Sequence, residues 1–158
     1  MSHPAANPTK ARLTKLECSI RKASRHKLFD PTDFMNLAPK EPGVYVIWNK
    51  STKKPKYVGS TSNLRKRLGD LRRWENHTFR RKVAKKLGGS KKNDDALSTK
   101  ISLRYEFSFI RVEFGRAELE EYLILRWREY LINRPAVRFL EGNQYSWVNP
   151  YKFTALSR

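Results

Sequence analysis

The chain has 158 residues, enough for one domain with a modest hydrophobic core. Its 34 Lys and Arg outnumber 15 Asp and Glu and give a net charge of +19, so a polyanion is the expected partner rather than a membrane. Cys18 is the only cysteine, which excludes an internal disulfide and a cysteine-based zinc site; with no signal peptide or apolar spanning run, we expect a cytoplasmic or nucleoid-associated protein.

The first 41 residues are predicted to form a basic N-terminal extension, partly disordered and partly helical. Residues 1–10 are polar and contain two prolines, a composition typical of disorder. Apolar residues at helical spacing predict an amphipathic helix over 11–27, and Asp30 is expected to cap a second short helix. Two roles stay open for this extension, namely packing against the rest of the chain or adding contacts to nucleic acid.

Beyond the extension, strand and helix patterns alternate. In chain order we predict strands at 43–49 and 56–59, helices at 62–74 and 77–87, a charged loop at 88–99, a strand at 102–113 and a helix at 117–132. This order predicts an α/β (α+β) fold, a small three-stranded and mainly antiparallel sheet flanked by helices. We expect the domain to span 42–143, followed by a C-terminal tail at 144–158. We also expect helices on one face of the sheet and the substrate at the other face or at its edge.

Four short motifs follow one another in this domain. Residues 43–45 read Gly-Val-Tyr, 57–59 read Tyr-Val-Gly, 63–68 read Asn-Leu-Arg-Lys-Arg-Leu, and 119–124 read Leu-Glu-Glu-Tyr-Leu-Ile. In this order and spacing the motifs resemble those of the GIY-YIG nuclease superfamily, with valine in place of isoleucine in both tripeptides. The resemblance implies an endonuclease domain that uses one divalent metal ion, Mg²⁺ or Mn²⁺.

The resemblance also implies roles for individual residues. Tyr45 would be the base that activates water, Tyr57 would orient water or phosphate, Arg67 would stabilise the transition state, and Glu120 would bind the metal. The motif glycines are Gly43 and Gly59. The family's fifth element, an asparagine, has three candidates here: Asn133, Asn143 and Asn149. Because the surroundings are cationic, we expect them to favour the ionised form of Tyr45.

Helical phase bears on two of these residues. Arg67 lies along the edge of an apolar stripe formed by Leu64, Leu68 and Leu71, so its head can lean toward the sheet. Phase alone favours an arginine whose stem covers the core edge while its head stays solvated, and the match to the family motif reverses that balance. Glu120 falls near the middle of the apolar face of the last helix, where a carboxylate needs a metal ion or an arginine to compensate its burial.

Residues 64–92 are strongly basic, with twelve Lys or Arg against two acidic residues. An unbalanced charge run of this kind indicates a phosphate-contacting surface. The residues expected to contact nucleic acid are Lys56, Ser60, Arg65, Lys66, Arg72, Arg73, Arg80 and Arg81. His77 is predicted to be a surface histidine on this basic face.

The sequence therefore predicts a metal-dependent endonuclease that acts on nucleic acid, with DNA favoured and RNA left open. The alternative is a catalytically inactive nucleic-acid-binding module on the same fold. Since no large recognition domain is present, selectivity is expected from the extension, the 88–99 region, the tail or a partner protein.

Overall fold

The computed structural model describes residues 8–29, 37–71, 77–89 and 94–133. The predictions for residues 1–7, for residues 30–36 and for the tail lie outside these ranges. The described helices are α1 Pro8–Lys22, α2 Leu64–Asp70, α3 Thr78–Leu87, α4 Asp94–Arg104 and α5 Arg116–Arg126. The described strands are β1 His26–Lys27, β2 Gly43–Asn49, β3 Pro55–Thr61 and β4 Tyr105–Arg111.

The described strands form one antiparallel sheet in the order β1-β4-β2-β3. An antiparallel sheet flanked by helices is confirmed, but the prediction of three strands is wrong, since the described sheet has four. The additional strand is β1, which pairs with β4 through His26 opposite Phe107.

The helix predicted over 11–27 ends at Lys22 because contacts with the sheet hold the following residues in another conformation. The Arg25 guanidinium lies 3.4 Å from the centroid of the Trp48 ring and donates a 2.9 Å hydrogen bond to Ser108 Oγ. The His26 ring packs 5.4 Å from that of Phe107. These contacts bring the end of the predicted helix to the sheet edge as β1.

The predicted charged loop at 88–99 is also partly wrong, since α4 begins at Asp94 and continues to Arg104. Leu97 and Ile101, one helical turn apart, are buried and hold α4 on the domain. The strand predicted from 102 therefore begins only at Tyr105, and the last helix ends in turns after residue 126.

Side chains of the sheet alternate between two hydrophobic clusters, one on each face. Val44 and Val46 belong to the cluster that includes residues of α1 and α5. Tyr45 and Ile47 belong to the cluster that includes residues of α2, α3 and α4. Both faces thus carry helices, so the expectation of a free face is wrong, and a substrate is left with the ends and edges of the sheet.

A buried carboxylate joins α1 to α5. Glu17 is only 5% exposed. It accepts hydrogen bonds from Tyr122 Oη at 3.1 Å, Arg126 Nε at 3.2 Å and Trp127 Nε1 at 3.1 Å. The helical part of the N-terminal extension therefore packs against the domain, which is one of the two roles left open. None of the described helices has the length and apolarity that crossing a membrane requires.

Candidate active site

The two motif tyrosines lie side by side because of the β2–β3 register. Tyr45 pairs with Gly59, and Ile47 pairs with Tyr57, so all four residues share one face of the hairpin. The ring centroids of Tyr45 and Tyr57 are 6.3 Å apart. Both side chains are buried, Tyr45 completely.

The motif glycines are explained by close contacts. A Cβ atom on Gly59 would lie 2.3 Å from Tyr45 Oη, so the tyrosine hydroxyl occupies the space that any other residue would need. A Cβ atom on Gly43 would lie 2.3 Å from the Ile110 carbonyl oxygen and 2.7 Å from a methyl group of Leu64. Gly59 thus makes room for the Tyr45 side chain, whereas Gly43 makes room for the core.

Helix α2 holds Arg67 against Tyr45. Asn63 caps the helix, its Oδ1 accepting a 3.0 Å hydrogen bond from a backbone N–H of the first turn. Leu64 and Leu68 are fully buried and fix the orientation of the helix on the sheet. Arg67, half-buried, hydrogen-bonds the Tyr45 hydroxyl and acts electrostatically on Tyr57 as well.

His77 is not the predicted surface histidine, since it is completely buried at the N-cap of α3. Its Nδ1 accepts a 3.2 Å hydrogen bond from the backbone N–H of Phe79, and its Nε2 lies 2.7 Å from Tyr45 Oη. A neutral ring that accepts at Nδ1 carries its hydrogen on Nε2, so His77 donates to the oxygen of Tyr45. The signal in the sequence was the position of His77 at the start of the helix predicted over 77–87, where a side-chain acceptor can cap the first turn.

The burial of this cluster decides its protonation. Burial, together with the nearby charges of Arg67 and Arg81, lowers the pKa of His77 from 6.5 to about 3, so the ring is neutral at physiological pH. Burial also raises the pKa of Tyr45 well above its usual range; Tyr57 adds to the shift and Arg67 opposes it. The expectation that cations would favour the ionised tyrosine is therefore wrong in its net direction, because desolvation outweighs Arg67.

Glu120 lies on α5 and meets the end of β3. Ser60 Oγ donates a short hydrogen bond to Glu120 Oε2. Glu120 is half-buried, and so are Glu118 and Glu121. What separates Glu120 from these neighbours is therefore its contact with β3 and its electrostatic effect on Tyr45 and Tyr57.

The donor set around Glu120 fits a hard divalent cation. A carboxylate and a hydroxyl are oxygen ligands of the kind that Mg²⁺ prefers, and Mg²⁺ commonly keeps several waters beside one or two carboxylates. Among the residues that the structure describes, no cluster of three or more Asp, Glu, His or Cys surrounds a point that could hold a metal. The oxygen atoms of Glu120 and Ser60 thus fit an ion that has few protein ligands.

Of the three candidate asparagines, only Asn133 lies in the described residues. Its Nδ2 donates a 2.8 Å hydrogen bond to the Val58 carbonyl oxygen, and its Oδ1 accepts a 2.9 Å bond from the Val58 N–H. Val58 lies between Tyr57 and Gly59 on a strand at the end of the sheet order. Asn133 therefore fixes the backbone of the second tripeptide, while Asn143 and Asn149 lie outside the described ranges.

One of the residues expected to contact nucleic acid is contradicted. Arg80 is completely buried, where it donates to the Leu71 carbonyl oxygen at 3.2 Å and to Ser98 Oγ at 3.0 Å. Its guanidinium joins helices inside the domain and cannot reach a phosphate on the surface. Arg65 is half-buried and donates its Nε to the Ala38 carbonyl oxygen at 2.8 Å.

The remaining basic candidates differ in exposure. Lys66 and Arg81 are exposed, Lys56 is half-buried, and Arg72 and Arg73 lie outside the described residues. Since Arg81 lies on the first turn of α3, next to buried His77, an exposed cation adjoins the tyrosine cluster.

Comparison with known protein families matches residues 41–133, more than half of the chain, to the GIY-YIG catalytic domain. The chain belongs to the GIY-YIG family. The match ends at Asn133 and begins after α1 and β1, so the N-terminal extension of this GIY-YIG protein lies outside the shared domain.

Similar solved structures are crystal structures of the GIY-YIG N-terminal endonuclease domain of UvrC from Thermotoga maritima. One, a point mutant bound to its catalytic divalent cation, is 29% identical, with 61% of this chain and 89% of that chain covered and a TM-score of 0.39. Another, with magnesium as its catalytic divalent cation, is 25% identical, with 61% and 88% covered and a TM-score of 0.36. A search of curated proteins found no match.

Proposed function

We propose that this GIY-YIG protein is a metal-dependent endonuclease that hydrolyses phosphodiester bonds of nucleic acid, with DNA as the preferred substrate. The observation that carries the proposal is the convergence of Tyr45, Tyr57, Arg67 and Glu120, which come from four separate elements. Folding stability alone does not require two buried tyrosines between an arginine and a carboxylate, because apolar residues could fill the same space.

Tyr45 is proposed as the base. A water molecule attacks the phosphorus while the Tyr45 phenolate takes up its proton. His77 assists because its Nε2–H points at the phenol oxygen and stabilises negative charge there. Because His77 donates this hydrogen bond, the hydroxyl hydrogen of Tyr45 is not shared with His77. Tyr57, packed beside Tyr45, orients the water or the phosphate.

Arg67 is proposed to bind the phosphate under attack. Its planar guanidinium offers several N–H donors, and charge on the phosphoryl oxygens grows as the water oxygen bonds to phosphorus. The phosphorus–oxygen bond to the leaving sugar oxygen then breaks, and that oxygen takes a proton from solvent. Because Arg67 already contacts Tyr45, one side chain can align the phosphate with the base.

Glu120 would hold the divalent ion, Mg²⁺ or Mn²⁺, with Ser60 as its neighbour. When bound, such an ion supplies Lewis-acid polarisation of the phosphate. Ser60 donates a hydrogen bond to the Glu120 carboxylate and thereby fixes the carboxylate at the end of β3. Asn133 supports the same strand through both its hydrogen bonds to Val58, and we propose it as the fifth family element.

Exposed cations beside the cluster are proposed to hold the nucleic-acid backbone. Lys66 and Arg81 are both exposed. Lys66 lies on α2 beside Arg67, and Arg81 lies on the first turn of α3, which His77 caps. Backbone contacts of this kind add affinity without sequence preference. We therefore expect binding that weakens steeply with salt concentration.

Cleavage of plasmid, linear duplex, single-stranded and branched DNA and of RNA, with Mg²⁺, Mn²⁺ or EDTA, tests the proposal. Glu120→Gln is expected to abolish cleavage and to retain DNA binding, whereas the matched control Glu121→Gln, next to it on α5, is expected to cut like wild type. Tyr45→Phe and Arg67→Ala are expected to lower turnover at least about 100-fold. Equal activity in Glu120→Gln and wild type would refute the metal assignment. Binding without cleavage by wild type on every substrate would instead indicate a catalytically inactive module.

A further inference from the structure

An exposed aromatic ring stands beside a small cavity at the N-terminal end of α5. Phe114 is 77% exposed, more than any other large hydrophobic residue in the described part of the chain. It belongs to the turn between β4 and α5, which ends in Gly115 with a φ of 81°. A single exposed ring needs no explanation by itself, but this one borders a cavity with further apolar lining.

The cavity next to Phe114 has a volume of about 330 Å³ and lies between α1 and this turn. Leu13 and Leu16 of α1 give the cavity apolar lining, and Arg12 and Glu118 give it charged lining. The Arg12 guanidinium lies 6.0 Å from the centroid of the Phe114 ring and donates a 2.9 Å hydrogen bond to the Phe114 carbonyl oxygen. The cavity thus combines an aromatic face, apolar lining, a guanidinium and a carboxylate.

The place of the cavity relates it to the candidate active site. Glu118 and Glu120 are two residues apart on α5, which turns them to opposite sides of the helix. Glu118 lines the cavity, whereas Glu120 meets Ser60. A helix with its side chains is about 10–12 Å wide and stacked nucleotides advance about 3.4 Å per strand, so the two places are about three or four nucleotides apart.

From this arrangement we infer that the cavity binds an unpaired nucleobase of the same nucleic-acid strand whose phosphate lies at Glu120. The base stacks on Phe114, while Arg12 and Glu118 face its polar edge. This inference rests on the proposed function, since it assigns a second contact to the substrate of that site. A carboxylate in the lining suits bases that carry an exocyclic amino group.

Charge supports nucleic acid over a second copy of the chain. Helix α1, which forms one wall of the cavity, has five Lys or Arg against a single Glu. Two copies of a chain with a net charge of +19 repel each other at such a surface, whereas phosphates are attracted to it. Stacking of a base on an exposed aromatic side chain next to an arginine is a common mode of single-strand recognition.

The test measures fluorescence anisotropy of a labelled single strand of about 12 nucleotides, in EDTA to prevent cleavage. Phe114→Ala and Phe114→Leu are both expected to weaken binding about tenfold, because leucine keeps the apolar contact but cannot stack. The matched control is Leu103→Ala. Leu103 is 71% exposed but precedes β4, at the other end of the strand, and its removal should leave binding unchanged.

A second arm moves one abasic position along the strand. An abasic site is expected to weaken binding to wild type at one or two positions of the strand only. At those positions it should not weaken binding to Phe114→Ala further, because the base and the ring form one contact. Phe114→Leu with wild-type affinity, or an abasic scan without a preferred position, would overturn the inference. So would self-association in sedimentation velocity that disappears in Phe114→Ala, which would identify a contact between copies.

The two proposals fail in different ways. If wild type cuts nucleic acid while Phe114→Ala binds single strands equally well, the nucleobase site is refuted and the proposed nuclease activity stands. If wild type neither binds nor cuts any nucleic acid, both are refuted.

Discussion

Gly59→Ala should inactivate the protein while leaving it folded. A Cβ atom on residue 59 would lie 2.3 Å from both the Tyr45 ring carbon Cζ and Oη. Carbon contacts become favourable only at about 3.5 Å, so the hydroxyl end of Tyr45 must retreat by about 1 Å. Tyr45 is fully buried and its hydroxyl already contacts His77 at 2.7 Å, so the ring cannot move without breaking that bond.

The expected size of the effect follows from this displacement. A shift of about 1 Å in a catalytic group lowers turnover about 100-fold. Overpacking one methyl group in a core destabilises a fold by about 1–3 kcal/mol, which leaves a typical domain folded. Single-turnover cleavage with saturating metal measures the first effect, and urea denaturation measures the second. The Michaelis constant should change little, because backbone contacts to the substrate are retained.

Two further glycines provide matched controls for Gly59→Ala. A Cβ atom on Gly69, in α2, meets nothing within 4 Å, so Gly69→Ala should keep full activity and stabilise the helix by about 0.5–1 kcal/mol. Gly43→Ala collides with the core and should reduce stability without the specific loss of turnover. Wild-type turnover in Gly59→Ala would show that the position of Tyr45 does not matter to the chemistry.

Four further predictions concern protonation and the buried polar contacts. The cleavage rate should rise about tenfold per pH unit up to at least pH 9, because burial raises the pKa of the proposed base Tyr45; a plateau near neutrality in a pH–rate profile would contradict this assignment. His77→Ala should lower stability by about 1 kcal/mol through loss of the α3 cap and should lower turnover, whereas His77→Asn should restore the cap in urea denaturation but not the turnover. Between pH 6.5 and about 3 the unfolded chain binds a proton at His77 that the folded protein does not bind. The free energy of unfolding of wild type should therefore fall by up to about 1.4 kcal/mol per pH unit on acidification, and that of His77→Gln should fall less. Burial alone would raise the pKa of Glu17, but Arg21 and Arg126 lower it overall. The stability that Glu17 contributes is therefore present above its ordinary pKa of 4.5 and is lost as the pH falls through the lower pKa of the folded state. Glu17→Gln should lower the free energy of unfolding by about 2 kcal/mol near pH 7, measured by urea denaturation, and should remove this acid dependence.

The proximity of Tyr45, Tyr57 and Arg67 in the candidate site could be predicted from the sequence because these residues belong to short motifs with fixed spacing. Once Gly43–Tyr45 and Tyr57–Gly59 are paired in a hairpin, strand alternation alone turns both tyrosines to one face. Helical phase correctly directed Arg67 toward that face. These inferences need only local geometry, which the sequence carries in full.

The errors arose where a residue's partner lies in another element of the fold. Arg80 belongs to a basic run, and nothing nearby in the sequence indicates that the Leu71 carbonyl and Ser98 accept its donors. In the same way, β1 forms only because His26 and Arg25 meet residues of the distant strands β2 and β4. Charge counting treats all arginines as solvated, whereas burial depends on what the fold brings opposite each one.

Helix α5 connects the candidate active site with the N-terminal extension. Its buried face is bound to α1 through Glu17, which accepts hydrogen bonds from α5 and from the turn that follows it. Glu120, on the same helix, meets β3, and Glu118 meets the cavity beside Phe114. The extension lies outside the matched family domain, yet it fixes the helix that carries the proposed metal ligand. The proposed positioning of Glu120 and the proposed nucleobase contact therefore depend on the same packing of α1 on α5, so a substitution in α1 at this contact is expected to affect both cleavage and single-strand binding.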